Sequence, residues 1–192
     1  TPLNAIVGFS EVIAHTESEC EREEYLDIVK ANSNLLLHLI KDILDLSRIE
    51  SGKMEFIDEN IQMDELCEEL RQMHQMRIKN DVKIIFERPA ASLTIVSDSH
   101  RLRQLYSNLI SNAIKYTEKG AITFGYKLKG DMMEGYVRDS GSGIPAEKLN
   151  NVFGRFEKLD LLKQGFGLGL SICKSILDKM GGEIWVESEL GV

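Results

Sequence analysis

Residues 102–120 of the chain read LRQLYSNLISNAIKYTEKG. The apolar residues of this stretch recur at helical spacing and predict an amphipathic helix; they are Leu102, Leu105, Leu109, Ile110 and Ile114. Asn108 and Asn112 lie four residues apart, so both amides fall on one stripe of that helix. Asparagine is a middling helix former because its side chain competes for backbone hydrogen bonds. Two asparagines on one face, with Lys115 and Tyr116 directly behind them, therefore indicate a polar role for that face.

The composition is that of a globular chain with a sizeable core, since 43% of the 192 residues are hydrophobic. A net charge of −8 gives no indication of a nucleic-acid surface. Cys20, Cys67 and Cys173 are widely separated, which is typical of a reduced, intracellular protein. No apolar run approaches the roughly 20 residues that span a bilayer. Because the chain opens on Thr-Pro without a methionine, we expect it to be a fragment of a longer protein.

Residues 1–52 are predicted to form two helices separated by an acidic, polar stretch at 16–24. The second helix follows a spacing close to a heptad, with Tyr25, Ile28, Asn32, Leu35, Leu39, Ile43, Leu46 and Ile49. Further apolar residues widen that stripe beyond what one partner helix can cover; they are Leu36, Ile40 and Leu44. We therefore predict an antiparallel hairpin, ending at Gly52, that dimerises into a four-helix bundle. Leu35, Leu39, Ile43 and Leu46 are expected to line its central seam.

After Gly52 the pattern changes to a mixture of strands and helices without strict alternation. Strands are predicted at 54–56, 82–87, 93–96, 121–128, 132–138 and 183–188, and helices at 64–79, after a cap at Asp98 or Ser99, and at 167–180. This order favours helices over one face of a largely antiparallel sheet. The predicted fold class is α+β, with a helical hairpin at residues 1–52 and an α/β sandwich domain at residues 53–192.

Two further segments carry polar or glycine-rich motifs, DSGSGIP at 139–145 and GFGLGL at 165–170. Each is a weak signal alone, because the first is also a good turn and the second fits neither the Walker A nor the dinucleotide pattern. Together with the two asparagines they suit a purine nucleotide. A buried Asp139 carboxylate would accept from the adenine amine and reject the guanine carbonyl. The amide oxygen of Asn112 suits Mg²⁺ beside an anionic triphosphate, and Lys115 suits phosphate.

NLISNAIKYTEKG, DSGSGI, VFGRFEKLD and GFGLGL, in this order, resemble the N, G1, F and G2 boxes of two-component sensor histidine kinases. TPLNAIVGFSEVI and DILDLSRIESGKMEF resemble that family's dimerisation and phosphotransfer hairpin. The resemblance implies a Bergerat-type ATP-binding domain, shared with gyrase, MutL-like and heat-shock chaperone ATPases. It also implies transfer of phosphate from Mg-ATP to a histidine and then to a receiver aspartate.

The resemblance assigns roles to individual residues. Asn112 is expected to be the Mg²⁺ ligand, with Asn108 a second, catalytic polar group near the phosphates. Lys158 is expected near the γ-phosphate, and Phe153 and Phe156 are expected to anchor a mobile lid. Thr1 lies where the family's phosphatase residue lies. The expected nucleotide-binding residues are Asn108, Asn112, Lys115, Tyr116, Asp139, Gly141, Gly143, Ile144, Phe156, Gly165, Gly167, Leu168 and Gly169.

The sequence departs from the family pattern in four places. The phosphoacceptor histidine and its neighbouring glutamate precede the residue matched by Thr1, and His15, His38, His74 and His100 do not match that place. Phe166 stands where relatives usually carry Thr or Ser, and is expected either to pack over the F-box phenylalanines or to meet the hairpin, which we favour. The lid is short, and the chain ends just after Gly191, where relatives usually add a core strand. Two alternatives to the kinase core therefore stay open, a catalytically weakened ATP-binding module and a dimerisation scaffold.

The expected cofactors are ATP and Mg²⁺, and the expected partner is a response-regulator receiver domain, separate or in the same polypeptide. We expect a homodimer through residues 1–52, no nucleic acid, and membrane attachment only through parts outside this chain. The core is expected on the cytoplasmic side of an inner or plasma membrane.

Overall fold

The computed structural model describes residues 2–78, 81–157 and 165–191. The chain divides into two units, Thr1–Lys53 and Met54–Val192. The first consists of α1 (Pro2–His15) and α2 (Glu19–Glu50). The break between them covers only three residues, shorter than the predicted 16–24, because two glutamates form the first turn of α2, where the helix dipole favours negative charge. Gly52 ends the hairpin with φ of +67°, as predicted.

The second unit contains β1 (Glu59–Gln62), α3 (Met63–Gln75), β2 (Val82–Glu87), β3 (Thr94–Ser97), α4 (Ser99–Tyr116), β4 (Gly120–Lys129), β5 (Met132–Asp139), α5 (Ala146–Leu149) and α6 (Gly169–Met180). β1 pairs with β3 in an antiparallel ribbon. β4 lies between β2, which it pairs in parallel, and β5, which it pairs antiparallel. The sheet is therefore mixed, and the predicted α+β fold of a hairpin followed by an α/β domain is confirmed.

The core of the second unit lies between β4 and the helices α3, α4 and α6. Its most buried side chains include Ile122, Phe124, Tyr126, Leu66, Leu70, Ile110, Ile172 and Ile176. Burying one such side chain contributes about 1.5–3 kcal/mol relative to leaving it exposed. This packing fixes α4 on the sheet. His74 belongs to the same core, and its imidazole Nε2 lies 3.5 Å from the Ser107 hydroxyl.

Two predicted strands are wrong in the described residues. Residues 54–56 form no strand, and the partner of β3 is β1 at residues 59–62 instead. Residues 183–188 alternate between exposed and half-buried side chains as a strand does, yet they join no ladder. A strand needs a hydrogen-bonded neighbour as well as an alternating pattern. This segment instead meets the loop after β5, where the Ile144 N–H donates to the Ser188 hydroxyl over 2.9 Å.

Helix ends also differ from the predicted ones. α6 begins at Gly169 rather than at residue 167, because Gly167 has a left-handed φ of +71° that an α-helix does not accommodate. α4 begins as predicted, after Asp98. Among the described residues, no helix is both long enough and apolar enough to cross a bilayer.

Asp98 ties the start of α4 to the chain before β1. Its carboxylate is buried and accepts from the backbone N–H groups of Ile57 and Arg101, each over 2.9 Å. Burial raises the pKa of Asp98, but these two donors and the Arg101 charge outweigh it and hold the pKa below its ordinary value of 3.8. Because the folded pKa is lower than the unfolded one, the ionised carboxylate stabilises the fold above about pH 3.8, and this stabilisation is lost as the pH falls further.

We therefore expect Asp98→Ala to lower the free energy of unfolding by about 1–3 kcal/mol at pH 7, through loss of the cap and of the Ile57 bond. The difference in free energy of unfolding between variant and wild type should become smaller when urea unfolding is repeated below pH 3.5. Asp58→Ala, at an exposed position nearby, is the control and should change neither curve. A difference that stays constant with pH would show that the carboxylate charge has no part in the cap.

Candidate functional site

A cavity of about 1960 Å³ lies in the second unit, beside α4 and β5. It brings together residues from three motifs that are far apart in the sequence. The expected nucleotide-binding residues in its lining are Asn112, Lys115, Tyr116, Asp139, Gly141, Gly143, Ile144, Gly165, Gly167 and Gly169. Asn108, Phe156 and Leu168 are described but do not line it. Thr1 and Lys158 lie outside the described residues.

The direction in which Asn108 and Asn112 face is set by the buried side of α4. Tyr106, Ile110 and Ala113 are buried against the sheet, so the two asparagines, four residues apart, face away from it. Asn108 Nδ2 donates to the Gly169 carbonyl at the start of α6, over 3.4 Å. Asn112, one turn later, lines the cavity. The two amides therefore have different neighbours, one the backbone of α6 and the other the open space.

Asp139 is the last residue of β5, and its side chain is exposed. The expectation of a buried carboxylate is therefore wrong, because in the described residues β5 is the edge strand of its sheet. The Gly141 N–H donates to Asp139 Oδ1 over 2.9 Å, which holds the carboxylate at the cavity wall. A side chain at residue 141 would not fit, since its Cβ would lie 2.6 Å from Asp139 Oδ1 and 2.7 Å from the Tyr116 carbonyl oxygen.

Lys115 and the glycines before α6 form another part of the cavity wall. The Lys115 ammonium lies 4.9 Å from the centre of the Tyr116 ring. A Cβ at Gly165 would lie 3.1 Å from that ammonium. Gly165 has a φ of +131°, which side chains rarely adopt, so the backbone conformation favours glycine at this point beside the lysine.

The F-box residues differ in exposure. Phe153 is half-buried and lines the cavity, whereas Phe156 is 65% exposed and has a left-handed φ of +61°. The Phe156 N–H donates to the Gly167 carbonyl over 2.9 Å, so the two ends of the predicted lid are joined. Most of the lid predicted between Phe156 and Gly165, residues 158–164, lies outside the described residues.

Phe166 is half-buried and does not line the cavity. Within the described ranges its ring makes no stacking contact with Phe153 or Phe156.

The donor set fits a magnesium nucleotide better than a protein-only metal site. The described part of the chain holds no group of three or more histidine, cysteine, aspartate or glutamate side chains able to bind a metal. Mg²⁺ prefers octahedral oxygen and usually takes one or two protein ligands, completed by phosphates and water. The single amide oxygen of Asn112 meets that requirement.

Sequence reasoning missed some residues of the cavity wall. Lys148 lines it although it lies in none of the quoted motifs, and Glu157 lines it from within the F-box motif, where no role was assigned to it.

Comparison with known proteins agrees with this arrangement. The family profile described as "Histidine kinase-, DNA gyrase B-, and HSP90-like ATPase" matches residues 97–192. The profile described as "His Kinase A (phospho-acceptor) domain" matches residues 1–52.

Two curated relatives align with the whole chain. "Hybrid signal transduction histidine kinase B" of Dictyostelium discoideum is 36% identical, over 100% of this chain and 10% of its own length. "Aerobic respiration control sensor protein ArcB" of Escherichia coli (strain K12) is 31% identical, over 100% of this chain and 26% of its own length. The chain thus spans about a quarter of the length of the ArcB relative and a tenth of the length of the other.

A solved structure has a similar fold. The structure of full-length ShkA in complex with AMPPNP has a TM-score of 0.77 and 26% identity, covering 99% of this chain and 41% of that one. The profiles, the relatives and the fold point to one family. The chain belongs to the two-component sensor histidine kinases, and it comprises their catalytic core.

Proposed function

We propose that the second unit binds Mg-ATP and phosphorylates a histidine that precedes Thr1 in the complete protein, and that the phosphate then passes to an aspartate of a receiver domain. The observation that carries this proposal is the cavity itself. It gathers Asp139, Asn112 and Lys115, the residues proposed to read the purine, bind the metal and meet phosphate, on walls contributed by β5 and α4. The relatives' shared family and the AMPPNP bound to ShkA support the nucleotide class.

Asp139 is proposed to select adenine. An ionised carboxylate only accepts hydrogen bonds, so it favours the adenine amine and repels the guanine carbonyl. The Gly141 N–H holds Oδ1, which leaves Oδ2 for the base. The absence of a side chain at Gly141 allows the ring to approach the backbone between Asp139 and Tyr116.

The phosphates are proposed to lie between α4 and the start of α6. The N-cap residue of α6, Leu168, provides no side-chain hydrogen bond to the first turn. The unpaired N–H groups of a helix N-terminus, with the positive end of its dipole, suit phosphate oxygens. Lys115 adds positive charge, and Lys158 is proposed to reach the γ-phosphate. Bound Mg²⁺ would neutralise phosphate charge, held by the Asn112 oxygen.

Phosphotransfer on this proposal has two steps. The γ-phosphoryl group leaves ADP and bonds to an imidazole nitrogen, and it then moves to a receiver carboxylate, which regenerates the neutral histidine. The receiver is separate or part of the same polypeptide, and Thr1 is proposed to assist its dephosphorylation. Because ATP is supplied inside the cell, we place the core on the cytoplasmic side.

The experiment that tests the function uses the full-length protein with the residues before Thr1. We expect incubation with Mg-ATP to give phosphate that is stable in alkali and labile in acid, as phosphohistidine is. ATP binding without that product would favour the weakened ATP-binding module. Absence of ATP binding would refute both readings.

We also propose that the hairpin forms a homodimer. Within one chain α2 leaves an apolar stripe uncovered, with Leu37 64%, Ile40 47% and Leu44 53% exposed. Of the expected seam, Leu35 and Leu39 are half-buried and Leu46 is buried, and only Ile43 is exposed. The apolar residues of α2 most available to a second copy are therefore Leu37, Ile40, Ile43 and Leu44.

A charge on this stripe should weaken the dimer. We expect Ile40→Glu to raise the dimer dissociation constant by about tenfold or more, because a buried, unpaired carboxylate costs well over 1 kcal/mol. Sedimentation over a range of concentrations measures the change. Asn34→Glu, which adds the same charge on an exposed part of α2, is the control. Equal behaviour of the two variants would contradict a seam at Ile40.

A further inference from the structure

Tyr106 joins α4 to two strands at once. The ring is only 5% exposed and packs edge-on against Phe124 of β4, with centroids 6.2 Å apart. Its hydroxyl donates to the Gly125 carbonyl of β4 over 3.0 Å. The same hydroxyl lies over Gly135 of β5. Burial raises the pKa of Tyr106 above its ordinary value of 10.0, so the hydroxyl remains a donor at neutral pH.

Both strands carry a glycine where the tyrosine lies, and neither position has room for a side chain. A Cβ at Gly135 would overlap the Tyr106 hydroxyl and lie 3.0 Å from its Cζ. A Cβ at Gly125 would lie 2.8 Å from the Glu87 carbonyl and 2.9 Å from the Tyr136 hydroxyl. Gly125 meets Tyr106 only through its carbonyl, and Gly135 leaves the space that the tyrosine hydroxyl occupies. We call this seat of the hydroxyl, at the Gly125 carbonyl and over Gly135, the glycine notch.

The notch lies on the strand face that leads to Asp139. Successive side chains of a strand point to opposite faces, so Gly135, Val137 and Asp139 share one face of β5. Asp139 lies about 13 Å beyond Gly135 at roughly 3.3 Å per residue. Along α4, Asn112 lies about 9 Å beyond Tyr106 at 1.5 Å per residue. Tyr106 therefore lies on α4, the helix that carries the proposed metal-binding Asn112, and contacts β5, the strand that carries the proposed base-reading Asp139.

We propose that Tyr106, seated in the glycine notch, is a positioning residue of the nucleotide site: it sets the distance between Asn112 on α4 and Asp139 on β5, so that one nucleotide engages both. This inference rests on the proposed ATP site. Small shifts of an element in a close-packed interior are transmitted to the groups it carries. The affinity for a ligand that contacts both α4 and β5 depends on the distance between them. The affinity for a ligand that contacts only the base-reading end at Asp139 depends on that distance much less.

The test compares Mg-ATP with adenosine, titrated separately into the full chain. We expect Tyr106→Phe to weaken Mg-ATP binding by about three- to tenfold, because part of the binding free energy, up to the value of the one lost hydrogen bond, is then needed to restore the spacing of α4 and β5; adenosine binding should change less than twofold. Tyr126→Phe is the matched control. Tyr126 is equally buried on β4, but its hydroxyl donates to Asp64 of α3, away from the cavity. The control should lower stability without altering the Mg-ATP to adenosine ratio.

A second pair of variants tests the fit to the notch. Gly135→Ala should weaken Mg-ATP binding because its methyl group meets the tyrosine ring, and adding Tyr106→Leu should restore part of the loss. If Tyr106→Phe leaves the ratio of Mg-ATP affinity to adenosine affinity unchanged, the positioning role is overturned. If the wild-type chain binds no Mg-ATP, the proposed function fails with it; if it binds but the ratio is constant, only this inference fails.

Discussion

An Asp139→Asn variant is expected to lose ATP affinity by about ten- to hundredfold while keeping its fold. The physical reason is the loss of one charge-assisted hydrogen bond, which is worth about 1.5–3 kcal/mol. An amide presents a donor as readily as an acceptor, so it no longer discriminates for the adenine amine. The side chain is exposed at the end of β5, so the substitution removes no core packing.

Calorimetric titration of ATP and of GTP into the variant checks this prediction. Because asparagine can donate to the guanine carbonyl, the preference for ATP over GTP should also fall. Asp131→Asn, in the turn of the same hairpin, removes the same charge far from the base and should bind ATP as the wild type does. An unchanged ATP affinity in Asp139→Asn would exclude the adenine-reading role.

The second large effect is expected at Asn112. Asn112→Ala should weaken Mg-ATP binding by about tenfold or more, since even partners one shell outside a metal typically cost 10–100-fold when removed. Binding of metal-free ATP should change little, because the amide oxygen is proposed to contact the cation and not the base. The effect should therefore appear as a loss of the magnesium dependence.

The measurement is a pair of ATP titrations, one with Mg²⁺ and one with chelator, on the same protein sample. Ser111→Ala is the control, because it changes the adjacent half-buried position of α4 without removing a cavity-lining amide. Similar losses with and without Mg²⁺ would assign Asn112 to packing or to direct phosphate contact instead.

Local pattern was sufficient for elements whose sequence signal and packing agree. The spacing of Leu102, Leu105 and Ile110 predicted α4, and all three are buried in it. Asp98 caps that helix as predicted, because its short carboxylate reaches the first-turn N–H groups. The predicted strand at 82–87 has the bounds of β2, since its alternation matches one buried and one open face.

Strands that form only where another strand pairs with them could not be predicted from a local pattern. Residues 54–56 and 183–188 have strand-like composition, but no described strand pairs with them. Residues 59–62 carry little β signal, yet they form β1 because β3 lies alongside. A ladder is a property of two segments, and one segment's residues do not specify the other.

Residue type and short-range spacing were sufficient for the family motifs, for the hairpin followed by an α/β domain, and for the choice of Asn112, Lys115 and Asp139 as candidate site residues. The exposure of Asp139 and the contact of the Tyr106 hydroxyl with Gly125 and Gly135 are features of the tertiary structure. Those features arise from contacts between α4, β4 and β5. Residues from different elements meet there at distances that local periodicity does not encode.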